Sequence, residues 1–203
     1  MPQWSFSPRR GPCSNPASLR AVRCFVAVWP DRDVIDALAS LPRPTMDGLR
    51  WSGEEQWHVT LRFFGEISPQ EIETARRALS RVARDLAAPI AANGGPATCF
   101  LGPSLVIWPV AGLAPAARAT ERATARLGKP PPERAYLGHV TLARGKQHVD
   151  LRRHGHLLAP LAATWPVTSL ALVQSNLHPQ GARYRVLEEL PFSLSDSRSG
   201  QGA

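Results

Sequence analysis

Two short segments carry the side chains best suited to chemistry. Trp57-His58-Val59-Thr60-Leu61-Arg62-Phe63-Phe64-Gly65 is echoed by Gly138-His139-Val140-Thr141-Leu142-Ala143-Arg144-Gly145, and the shared His-Val-Thr-Leu cores lie 81 residues apart. Imidazole titrates near neutral pH, so one histidine can accept a proton while the other donates one. Two hydroxyls can donate hydrogen bonds to oxyanions. Together these groups suit in-line displacement at a phosphodiester. A base acts on water, an acid acts on the leaving oxygen, and donors hold the non-bridging oxygens.

A single histidine in a strand is ordinarily structural, with a satisfied partner, and a strand threonine is commonplace. The matched pair is what favours catalysis over that plainer reading. Side chains alternate across a strand, so His58 and Thr60 share one face while Val59 and Leu61 share the other. The same holds for His139 and Thr141 against Val140 and Leu142. The aliphatic pairs would anchor each strand on its helix layer, and the His/Thr pairs would meet across a cleft. Five residues after each histidine stand Phe63 and Arg144. A ring and a guanidinium plane are surfaces on which a nucleobase stacks, worth about 1–3 kcal/mol per base. They are expected to grip a base from opposite sides, with Arg144 also near phosphate. Arg62, two places beyond Thr60, falls on the His58 face by alternation, where it would pair with phosphate or with an acid such as Glu66. His148, His154, His156 and His178 share no such pattern. His154-x-His156 lacks a third ligand at suitable spacing, so no metal and no cofactor are expected.

The elements that must position these residues alternate between strand-like and helix-like. Arg23–Trp29 is a β-branched and aromatic run, closed by Pro30. Asp31 then caps a helix with Val34, Ile35, Leu38 and Leu41 at helical period. Short and long strands follow at Leu49–Trp51 and Trp57–Phe64. Ser68-Pro69-Gln70-Glu71 starts a helix to about Ala87, with Ile72, Ala75, Leu79, Val82 and Leu86 inward. A strand at Leu105–Val110 and a helix over Leu113–Leu127, ended by Gly128, open the second half. Tyr136–Arg144, Thr168–Ser175 and Arg183–Leu187 read as strands, the last two as a hairpin, with a polar, partly helical stretch at 149–161 before them. The expected fold is α+β or α/β, with two pseudo-symmetric lobes around a central cleft, each an antiparallel-rich sheet backed by helices. Residues 1–19 read as a disordered extension, 20–192 as one bilobal domain and 193–203 as a disordered tail.

Composition narrows the class. The chain has 203 residues, 43% hydrophobic and 20% charged, which suits a globular domain rather than a disordered chain. The net charge is +8, and all but two of the 24 cations, Lys129 and Lys146, are arginines. Such a balance favours phosphate-rich partners, although base composition of the gene explains arginine richness equally well. Cys13, Cys24 and Cys99 are odd in number and form no CxxC pair, which argues against a disulfide framework and suits a reducing cytoplasm. The longest apolar runs fall far short of a membrane span, and no apolar stretch follows Arg9 and Arg10 as a signal peptide requires. A cytoplasmic monomer without membrane contact or an obligate protein partner is expected.

The collinear order of these segments resembles the two-histidine (2H) phosphoesterase superfamily, and within it the RNA 2′,3′-cyclic phosphodiesterases, also called 2′-5′ RNA ligase-like. The likeness runs from about Arg23 to Phe192. Arg23–Pro30 resembles the family's first strand, Leu49–Trp51 with His58–Glu66 its first motif block, and His139–Arg144 its second. Val173–Leu177 followed by Gly181–Tyr184 resembles its closing hairpin. Val28-Trp29-Pro30, and the segment Trp51–Trp57 before His58, depart from the family's commoner residues. The resemblance implies metal-independent hydrolysis of a terminal 2′,3′-cyclic phosphate on RNA ends or nucleotides to a 2′-phosphate, and leaves room for weak, reversible 2′-5′ ligation. It assigns His139 to water and His58 to the departing 3′-oxygen, although the symmetry of the sequence permits the reverse. A binding module without turnover, and a related enzyme for a small cyclic nucleotide or a 2′,5′-oligoadenylate, are the alternatives.

Overall fold

A computed structural model describes residues 20–178 and 181–194. The expected extension at 1–19 and the tail from 195 onward lie outside the described residues. The first half runs β1 (Val22–Val28), α1 (Arg32–Ala39), β2 (Leu49–Trp51), β3 (Val59–Ile67) and α2 (Pro69–Asp85). Asp31 caps α1 by accepting from the Val34 amide at 3.0 Å. Ser68 and Glu71 form a reciprocal capping box on α2, whose buried face is Ala75, Ala78, Leu79, Val82 and Ala83. The second half adds β4 (Ala87–Ala88), β5 (Ile90–Gly94), β6 (Cys99–Leu101), β7 (Leu105–Ala111), α3 (Ala114–Ala123) and β8 (His139–Gly145). It closes with β9 (Thr164–Val167), β10 (Ser169–Asn176), β11 (Arg183–Pro191) and β12 (Ser193–Leu194).

The two expected lobes are the two wings of one antiparallel sheet, ordered β11-β10-β1-β3-β8-β7-β5-β9, with β2 added on β8 and β6 on β7. Only Val59↔Val140 joins β3 to β8. The wings therefore part beside the two histidines that neighbour this pair, and the cleft opens there. α2 packs on α3, and α3 packs on β3 of the other half. One main core fills the helix side, while a second small cluster of Phe25, Ala27, Ala171 and Val173 lies on the other face of β1.

Several expectations are corrected. The helix expected over Leu113–Leu127 stops at Ala123, and Gly128 ends the turns that follow with φ +56°. β4, β5, β6 and β9 have no counterpart among the expected strands: β4 and β6 are only two and three residues long, and β5 and β9 are short runs carrying Asn and Gly or Pro. Ser193 and Leu194, expected in the tail, pair in parallel with Ala87 and Ala88. The 149–161 stretch holds two 3-10 turns, Leu151–Arg153 and Gly155–Leu157.

Both motif strands are bulged. Against β1, Ala27 faces Thr60 and Val26 faces Arg62, so Leu61 is an extra residue. Against β7, Ile107 faces Thr141 and Val106 faces Ala143, so Leu142 is extra. Phe64 is a second extra residue in β3, between Phe63 and Gly65.

Close packing under the second wing is tight at Trp108, which is fully buried, stacks on Trp165 at 6.0 Å, and donates its indole N–H to the carbonyls of Gly95 and Leu161. A Cβ at Gly94 would stand 1.7 Å from that ring. Gly94→Ala is therefore expected to destabilise the protein by about 3 kcal/mol, read as a lowered urea midpoint.

Candidate active site

The parted wings enclose a cleft of about 400 Å³ that holds His58, Thr60, Phe63, His139, Thr141 and Arg144 together. The bulges explain the membership. After one extra residue the alternation of side chains is inverted, so the residue five places beyond each histidine returns to the histidine's face. Phe63 and Arg144 reach the cleft in this way, whereas strict alternation would have sent both into the core.

The same inversion removes Arg62. Its side chain lies on the core face, 2% exposed, opposite Val26. It donates to the carbonyls of Phe63 (2.7 Å), Leu127 (3.2 Å) and Lys129, and its guanidinium lies 5.2 Å from the Phe64 ring centroid. Arg62 thus does not line the cleft with the histidines, as expected from sequence for a phosphate contact, and it forms no ion pair with Glu66. Arg62 is instead a strut between β3 and the turns that follow α3.

Each imidazole is held in the same manner. Nδ1–H of His58 donates to the Gln56 carbonyl at 2.8 Å, and Nδ1–H of His139 donates to the Leu137 carbonyl at 2.9 Å. In both cases the acceptor stands two residues upstream, and a carbonyl can only accept, so the tautomer is fixed. Nε2 is left in each ring to exchange a proton with a ligand. Tyr136 donates its hydroxyl to the Thr60 carbonyl at 3.1 Å, tying the approach of the second motif to the first. Among the described residues neither threonine hydroxyl has a protein partner, so both are free to serve a ligand.

Electrostatics favour neutral rings in the empty cleft. Burial pushes His58 down to about 4, opposed by its bond to Gln56 and assisted by Arg144 and His139. His139 is also lowered, first by burial and then by Arg144 and Arg134, against its bond to Leu137. Three aromatic rings surround His58: Phe25 at 4.8 Å, Tyr184 at 5.0 Å and Trp29 at 5.4 Å between centroids. The Phe25 ring, tilted only 30° from the imidazole plane, would favour an imidazolium once a nearby anion promotes it.

These rings carry no motif that marks them in the sequence. Phe25 and Trp29 sit two apart from Ala27 on the non-core face of the first strand, and that period of two is the signal that could have found them. Arg23, Arg50 and Gln56 also line the cleft unforeseen, brought there by cross-strand register rather than by any motif. His178 lies at the rim, while His154 and His156 lie away from the cleft with rings 5.7 Å apart. Among the described residues no group of three His, Cys, Asp or Glu side chains could hold a metal ion, and no helix is long and apolar enough to cross a membrane.

Comparison with known proteins agrees with this fold. Residues 28–95 match the family model of LigT-like phosphoesterases. The structure of TT0787 from Thermus thermophilus superposes with a TM-score of 0.70 at 26% identity, covering 85% of this chain and 99% of that one. LigT of E. coli, solved with 3′-AMP, gives 0.67 at 20% identity with the same coverage. The PDE domain of MHV ns2 shares the fold at 0.53 and 14% identity, covering 75% and 99% of the two chains. No curated protein matches the sequence.

Two outcomes separate structural from site roles. Arg62→Met should lower stability by about 3 kcal/mol, because it removes the hydrogen bonds by which a buried guanidinium ties three carbonyls together, and should leave ligand affinity of the folded fraction unchanged. His58 binds its proton less readily folded than unfolded, so its contribution is intact above its ordinary value near 6.5 and is lost as pH falls toward 4. The loss should reach about 3 kcal/mol at pH 4, and His58→Phe should flatten that part of the stability profile.

Proposed function

We propose that this chain, which belongs to the 2H phosphoesterase superfamily, hydrolyses the terminal 2′,3′-cyclic phosphate of RNA to a 2′-phosphate. The observation that carries the reading is the pair of imidazoles, each fixed through Nδ1 to a carbonyl two residues upstream and facing one cleft with a threonine beside it.

Water enters in line with the 3′-oxygen. His139 Nε2 takes its proton as the new P–O bond forms, and His58 gives a proton to the 3′-oxygen as the P–O3′ bond breaks. Thr60 and Thr141 donate to the two non-bridging oxygens. The order of the two histidines follows the family resemblance, and the aromatic enclosure of His58 supports its part in it. His58 is neutral in the empty cleft, so the anionic substrate must arrive with uptake of a proton. That coupling is what charges the acid beside its target. Base stacking against Phe63 and Arg144 completes the grip on the terminal nucleotide. The 3′-AMP of the E. coli structure is a ligand of the same chemical class.

Incubation with RNA ending in a 2′,3′-cyclic phosphate should yield a 2′-phosphate, identified by chromatography, at a rate EDTA does not change. His58→Ala and His139→Ala should each lower kcat by about 10²–10⁴. Full activity in either variant would exclude the two-histidine mechanism. Phe63→Ala and Arg144→Ala should raise KM more than they lower kcat.

A further inference from the structure

The cleft carries more positive charge than one phosphodiester can balance. Arg23, Arg50 and Arg144 all line it, and among the described residues no Asp or Glu does so. None of the three forms an ion pair with any described carboxylate. With both histidines neutral, three guanidiniums face a cyclic phosphate bearing a single negative charge.

Their placement is costly to the empty protein. Arg50 on β2 stands directly opposite Arg144 on β8, so two like charges share one face of one cross-strand pair. Such pairs are destabilising, and although Asp47 lines the neighbouring hollow with both arginines, it forms an ion pair with neither. Arg23 lies with its guanidinium 4.6 Å from the Phe63 ring centroid, which keeps it at the cleft without neutralising it. All three arginines act electrostatically on the Tyr184 phenol, which places them around one point. Arg144 also acts on both histidines, and its neighbours Arg50 and Arg23 act on Arg144 in turn. The positive charge is thus continuous from Arg144, which shares the cleft with the histidines, to Arg50 opposite it and Arg23 against Phe63.

We propose that Arg23, Arg50 and Arg144 bind a second phosphate of the substrate, so that the preferred ligand carries two phosphates on one terminal nucleotide: the cyclic one at the histidines and a 5′-linked one at the arginines. The inference rests on the phosphodiesterase reading and sharpens it, since a 5′-linked phosphate is what joins the terminal nucleotide to the rest of an RNA strand. Guanidinium suits this role because its planar donors bind phosphate oxygens in pairs. When a base takes the face of Phe63 that Arg23 covers, the flexible Arg23 side chain is released toward the same anion.

The test uses binding, which does not depend on turnover. By calorimetry, adenosine 2′,5′-bisphosphate should bind the full chain at least roughly tenfold more tightly than 2′-AMP at low salt, and the gap should narrow as salt rises. Arg50→Gln and Arg23→Gln should each shrink the gap to about threefold or less, the loss falling mainly on the bisphosphate. Arg50→Gln should also melt at a higher temperature than the native protein without ligand, because the opposed charge is gone; this doubles as the check that it folds. Equal affinity for the two ligands, a gap unchanged in both variants, or no binding of either ligand would overturn the proposal. Those results alongside turnover of the cyclic end would leave the phosphodiesterase reading standing. A full affinity gap without turnover would instead remove that reading.

Discussion

One extra residue in each motif strand decides what the cleft contains. A strand without a bulge would present His58, Thr60 and Arg62 on one side and Phe63 on the other. With Leu61 inserted against β1, Arg62 is drawn into the core and Phe63 is turned out. Leu142 does the same against β7 and delivers Arg144. The leucine of each His-Val-Thr-Leu is thus more than a hydrophobic anchor. It resets the alternation, and both leucines are buried in the main core, which holds the bulges in place. The two wings achieve this with different neighbours, so the repeat is one of backbone geometry as well as of sequence.

The bulges also explain which site residues are legible in the sequence and which are not. His58, Thr60, His139 and Thr141 can be placed because they precede the bulge in each strand, where a period of two still holds. Phe63 and Arg144 stand out by their matched offset, without the geometry that makes an odd offset work. Arg62 is misplaced when the period is carried across the bulge, since a bulge is a property of the pairing with β1 and leaves no mark in the strand's own residues. Arg50 escapes for a related reason. Its place at the cleft comes from register against Arg144, a residue 94 positions further along. Strong capping signals make α1 and α2 readable, whereas β5 and β9 pair chiefly with each other and carry Gly, Asn or Pro within short runs.

The narrow junction between β3 and β8 matters as much as the motifs. A longer ladder between them would close the sheet and leave the histidines facing neighbouring strands rather than a cavity. A single paired position, Val59 with Val140, both fully buried, fixes the two motif strands at one point and lets them diverge from it. Histidine spacing across the cleft is therefore tied to core packing. The Tyr136 hydroxyl on the Thr60 carbonyl adds a polar tie on the same side. Tyr136 is half-buried, and its phenol is held above its ordinary value chiefly by burial, so it remains a donor throughout the neutral range.

Charge in the empty cleft is arranged so that a ligand must complete it. Burial keeps both imidazoles neutral, and the arginines have no acidic partners to relax against among the described residues. An internal carboxylate beside His58 would hold a resident imidazolium, but it would also compete with substrate for that proton and repel the phosphate. In the proposed reaction, leaving the counter-ion to the substrate avoids both effects: the same anion that would raise the proton affinity of His58 is the one whose leaving oxygen would need the proton. The fixed bonds from Nδ1 to Gln56 and Leu137 then ensure that any proton gained is carried on Nε2, the nitrogen free to meet the ligand. On the proposed mechanism, acid strength would thereby be conferred by binding rather than stored in the resting protein, which would tie proton uptake to the arrival of a phosphate.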